Sequence, residues 1–103
     1  MAYGKKVDAN QAEIVSLFRK LGAAVAITSS AGNGFPDLVV QRLRKRQYGT
    51  VVDTMLIEIK DGSLSPSRQA LTPEQVKFHS VFRCFVVNCE ADVYRMMDIH
   101  TDD

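Results

Sequence analysis

The chain has 103 residues, 46% of them hydrophobic and 24% charged, with a formal net charge of +1. That length supports one domain, 1–103, with a core that needs no disulfide or metal staple, and the near-neutral charge does not by itself mark a nucleic-acid binder. No run of about 20 apolar residues is present to cross a bilayer, and the opening MAYGKKVD has no apolar signal segment, so the expectation is a cytoplasmic protein with no membrane partner.

Met1 to Val7 reads as an extended lead-in. Asp8 has the character of an N-cap, with Gln11 at capping-box spacing. Ile14, Leu17, Phe18 and Leu21 then recur at helical intervals and define a buried face, and Gly22 supplies the stop. Glu13 falls on the shoulder of that face, roughly a quarter turn from its centre, where a lone glutamate is ordinarily solvated. Ala23 to Thr28 reads as a short buried strand. The polar loop Ser29 to Gly34 follows; its glycines permit close backbone approach to a ligand, and Ser29 and Ser30 are candidate substrate contacts.

Leu38 to Leu43 and Val51 to Lys60 read as the second and third strands. The connection from Arg44 to Thr50 is longer than a two-residue turn. Arg42, Arg44, Lys45 and Arg46 crowd it, either as a phosphate-contacting patch or as a solvated loop. The third strand carries Glu58 and Lys60 into an aliphatic run, where an unpartnered charge costs several kcal/mol. Alternation puts these two on one face, with Ile57 and Ile59 on the other. If the strands pair antiparallel, Asp37 at the start of one meets Glu58 and Lys60 at the end of the other. Two carboxylates with the Ile59 carbonyl form a hard-oxygen set suited to Mg²⁺ or Mn²⁺; the alternative is a salt-bridged cluster at a sheet edge.

Ser63 to Leu71 is rich in residues that avoid regular structure, with Arg68 a candidate phosphate contact. Thr72, Pro73 and Gln75 open a second helix, and Gln75 can close a capping box or belong to the site. Val76, Phe78, Val81 and Phe82 are expected to pack that helix, with His79 held among them. Cys84 to Asn88 reads as a fourth buried strand. A closing helix, Ala91 to Ile99, turns Val93, Met96 and Met97 inward. Cys84 and Cys89, without CxxC spacing, read as two buried thiols rather than a disulfide or zinc site.

The run Gly34-Phe35-Pro36-Asp37-Leu38, then Glu58-Ile59-Lys60-Asp61-Gly62, then Thr72-Pro73-Glu74-Gln75 and Phe78-His79, resembles the VRR-Nuc branch of the PD-(D/E)XK nuclease superfamily. The likeness is to small stand-alone phage-type members, and it extends upstream through Asp8 to Val15 and Leu21-Gly22, so it covers nearly the whole chain. It implies a restriction-endonuclease-like αβββαβ core, with a mixed central sheet flanked by helices. It also implies a Mg²⁺-dependent structure-specific endonuclease acting on branched DNA such as Holliday junctions, and a homodimer. Asp37, Glu58, the Ile59 carbonyl and Glu13 would hold the metal, Lys60 would serve the attacking water or the phosphorane charge, and Gln75 would complete the site. Arg68, Arg44, Lys45, Arg46 and Ser30 are the candidate DNA contacts. A nicking, flap or less selective nuclease, or a DNA-binding module without activity, would use the same features.

Overall fold

Two strands, β2 (Leu38–Arg46) and β3 (Gly49–Ile59), pair antiparallel from Leu38 opposite Ile57 to Arg46 opposite Gly49. The computed structural model describes residues 7–98, apart from the side chain of Asp98, so the readings made for 1–6, for Ile99 as the end of the last helix and for the acidic terminus lie outside the described residues. β-Branched and aliphatic residues at two-residue spacing make the hairpin one-sided. Leu38 and Val40 on β2, and Met55, Ile57 and Ile59 on β3, are each no more than 4% exposed.

Shorter strands extend this hairpin on both sides. β1 (Ala24–Ile27) pairs antiparallel with the start of β2, and β4 (Cys84–Val87) runs parallel to the end of β3, giving the order β1-β2-β3-β4. The helices α1 (Gln11–Lys20) and α4 (Glu90–Asp98) lay Ile14, Val15, Leu17, Phe18, Val93 and Met96 on the apolar face of the sheet. Burial of each large side chain there contributes about 1.5–3 kcal/mol. The one-turn α2 (Pro66–Gln69) and α3 (Pro73–Val81) connect β3 to β4. The protein is an α/β fold, a four-stranded mixed sheet flanked by helices.

Several local expectations are corrected. The first helix starts at Gln11 with Asn10, not Asp8, at the N-cap, and Asn10 Nδ2 donates instead to the carbonyls of Lys60 and Asn88, both at 3.2 Å. Val15 is buried on this helix, whereas Leu21 sits at its end, 36% exposed. β1 is a largely exposed edge strand, with Ile27 53% exposed, not a buried one. Of α3 only Gln75 is buried; Val76, Val81 and Phe82 stand more than half exposed. Cys89 is exposed and Cys84 half-buried.

The expected long link at 44–50 is strand almost throughout, because only Gln47 and Tyr48 turn the chain and Gly49 takes φ +140. Charge pairing explains it. Asp53 faces Arg42 in register, and Arg42 Nη2 donates to Asp53 Oδ2 at 2.7 Å while Arg44 donates to both oxygens of the same carboxylate. Arg42, 3% exposed, also gives Nη1 to the carbonyls of Met96 and Met97, at 3.3 and 3.2 Å, and so closes the C-terminal end of α4 with a cation.

Candidate active site

The antiparallel register that sets Leu38 opposite Ile57 carries on to set Asp37 beside Glu58. Asp37 reaches that place from a tightly held loop. Thr28 N–H donates to the Asp37 carbonyl at 2.7 Å, and Thr28 Oγ1 donates to the Pro36 carbonyl at 2.8 Å. The Asp37 carboxylate turns across the strand pair, where its Oδ2 accepts the Ile59 N–H at 2.7 Å. A charge-assisted bond of this kind fixes the carboxylate without neutralising it.

Glu58 and Lys60 project from the face of β3 opposite the core, as alternation requires, and both are nearly sequestered at 1% and 8% exposure. Gln75 joins them. Its Oε1 accepts from Lys60 Nζ at 2.8 Å and from the Thr72 N–H at 2.9 Å, and its Nε2 donates to Glu58 Oε2 at 2.9 Å. Two donors on one end and an anionic acceptor on the other determine which way the amide points. Lys60 Nζ and Glu58 Oε2 also form a long ion pair at 4.0 Å, which the amide bridges. Gln75 N–H also donates to Thr72 Oγ1 at 3.2 Å, which completes a capping box. One side chain therefore both starts α3 and links the helix to the charged end of β3.

Gly34 makes this docking possible. It has φ +80, and a Cβ there would overlap the Glu74 carbonyl, so the loop before Asp37 lies directly against the first turn of α3. Asp37, Glu58, Lys60 and Gln75 together line a cavity of about 270 Å³, walled also by Gly34 and Thr72. Asp8 and Glu74 line it as well. Because the helix begins at Gln11 with Asn10 at its N-cap, Asp8 is no helix cap; it lies in the approach to the helix and lines the cavity. An Asp spaced three residues before Gln11 carries no mark that separates the two roles.

Glu13 is exposed and lines a neighbouring cavity, with Asp61, Ser63 and Asn88, instead of this one. The candidate DNA contacts also lie outside it. Arg44 is committed to Asp53, and Arg44, Lys45 and Arg46 ride on the distal hairpin. By register Arg44 lies opposite Val51, seven residues along β3 from Glu58, which is roughly 23 Å. Arg68 is exposed on α2, and Ser30 is exposed in the loop whose Ser29 is buried and accepts from Gln11 Nε2 at 3.3 Å.

Among the described residues no group of three His, Cys, Asp or Glu side chains is arranged to hold a metal ion. Two buried carboxylates on one cavity nevertheless fit Mg²⁺, which takes one or two carboxylates and completes its shell with water and phosphate oxygens. Burial, and after it the charge of Glu58 on the neighbouring strand, pushes the Cys84 thiol up from its ordinary value. No family model, curated protein or solved structure matches this chain.

Proposed function

We propose that this protein is a metal-dependent endodeoxyribonuclease of the PD-(D/E)XK type, with a VRR-Nuc-like site. The observation that carries this reading is that Asp37, Glu58 and Lys60, from the start of one strand and the end of the next, line one cavity and that Gln75 joins Lys60 to Glu58. Asp37 and Glu58 would hold the divalent ion, Mg²⁺ or Mn²⁺. When bound, such an ion neutralises phosphate charge and lowers the pKa of a coordinated water toward neutrality.

The chain's own residues do the rest. Asp37, clamped by the Ile59 N–H, keeps a fixed anionic ligand at the cavity floor. Gln75 holds the Lys60 ammonium by its amide oxygen, directing a positive charge toward the phosphoryl oxygens where negative charge grows in the transition state. Hydrolysis would leave a 5′-phosphate and a 3′-hydroxyl. Branched DNA, such as a four-way junction, is the proposed substrate; its two-fold symmetry calls for paired sites and hence for a homodimer. The resemblance to small stand-alone VRR-Nuc proteins, carried by motifs spread over nearly the whole chain, supports this part of the reading.

The test is cleavage of a junction, a flap, a single strand and a linear duplex in Mg²⁺, with and without EDTA. Cutting should require the metal and fall at least 100-fold in Asp37→Asn, Glu58→Gln and Lys60→Met, while the variants still bind DNA. Cutting that persists in all three variants would remove the assignment. Binding with no cutting by the unaltered protein would favour a DNA-binding module.

A further inference from the structure

α3 leaves the sheet with its apolar side chains largely uncovered, although it begins inside the candidate active site. Past Gln75, the aromatic residues form a short ladder. Phe35, from the loop that delivers Asp37, meets Phe78 edge-on with centroids 5.3 Å apart, and Phe78 stacks on Phe82 at 4.7 Å with 29° between the planes. Phe78 covers one face of Phe82, yet Phe82 remains 51% exposed and Val81 beside it 73%. With Lys77, Glu74 and Asn33, these residues line a cavity of about 300 Å³. Asn33 and Glu74 also line the cavity of Asp37 and Glu58, so the two spaces share a wall.

We propose that this aromatic step is a stacking platform for an unpaired nucleobase next to the scissile phosphate. The proposal rests on the nuclease reading and narrows its substrate to DNA with exposed bases at the cut, as at a branch point, flap or gap. An exposed ring already stacked on a second ring offers a flat π surface at little ordering cost. The Lys77 ammonium at the rim suits the adjoining backbone phosphate. A second copy of the chain fits less well: the patch is one cavity broken by Lys77 and Glu74, whereas a stable dimer buries about 800 Å² on each partner.

The experiment measures binding in EDTA, which separates it from cleavage, using a duplex and a gapped duplex of the same sequence with 2-aminopurine at the unpaired position. The unaltered protein should prefer the gapped DNA and quench the probe. Phe82→Ala and Phe82→Leu should each weaken gapped-DNA binding by roughly 5- to 150-fold, the range for one lost stacking contact, and leave duplex affinity unchanged. Phe82→Trp should restore both preference and quenching. Equal loss on both DNAs, or none on either, overturns the platform while leaving the nuclease reading intact. A shift from dimer to monomer in Phe82→Ala, seen by sedimentation, overturns it in favour of a self-association surface. Failure of the unaltered protein to bind any DNA overturns both readings.

Discussion

Gln75 carries an unusual load for one uncharged side chain: an ammonium, a carboxylate and a helix N-terminus all bond to its amide. These roles separate by mutation. Thr72→Ala removes only the cap oxygen and should cost about 1 kcal/mol of stability. Gln75→Ala removes the partner of two buried charged groups as well, and should cost roughly 2–4 kcal/mol with cleavage largely lost. Urea unfolding of both variants checks the order; equal costs would mean that the amide acts as a cap alone. The sequence displayed both roles of Gln75 and could not rank them, because capping-box spacing and site membership fall on the same residue. Asp37, Glu58 and Lys60 were legible because alternation and antiparallel pairing suffice to bring them together. Asp8 was not, since the helix starts later, at Gln11, where Asn10 bonds to the carbonyls of Lys60 and Asn88, residues 50 and 78 positions away; Glu13 is exposed as its helical position suggests, and only the resemblance assigned it to the metal.

The distal hairpin makes the same point for an element. Its arginines at 42, 44 and 46 alternate as a strand's residues do, but a cluster of cations next to a glycine looks like a loop until Asp53 is seen across from Arg42. Hydrogen bonds from Arg44, then Arg42, hold the Asp53 carboxyl below its ordinary range. Its folded pKa is thus lower than its unfolded value of about 3.9, so the stabilisation is complete above that value and disappears as pH falls through the folded pKa. Asp53→Asn should destabilise the protein by roughly 1–3 kcal/mol at pH 7, since Arg42 is left buried without its anion. The difference from the unaltered protein should shrink as pH falls from 5 toward 2. Urea midpoints at several pH values test this, and a gap that stays constant would show that Asp53 stabilises by packing. The same pairing tells against Arg44 as a free phosphate contact and leaves exposed Lys45 as the arm's more available cation.

Across the molecule, the apolar core and the proposed site occupy different places. The core lies between the sheet and the α1–α4 pair, where Phe18 and Ile57 are fully buried, while α3 contributes only Gln75 to the interior. Phe18→Ala should therefore cost about 3–5 kcal/mol, a large share of a small domain's total, whereas Val76→Ala on α3 should change stability by less than about 0.5 kcal/mol. Fold class was readable from hydrophobic periodicity, but the exposure of α3 was not: its valines and phenylalanines resemble a core stripe, and only the packing shows Val76, Val81 and Phe82 more than half exposed among the described residues. An element that buries a single side chain, Gln75, should open more readily than the hairpin beside it. Amide exchange should thus be faster in α3 than in the paired centre of β2 and β3. Adding Mg²⁺ with a non-cleavable DNA should slow exchange at 74–78 more than at 54–58, because a ligand seated between Asp37 and Glu58 draws on the same Gln75 that anchors the helix. Protection confined to the strands, with α3 unchanged, would mean that the helix takes no part in holding the substrate.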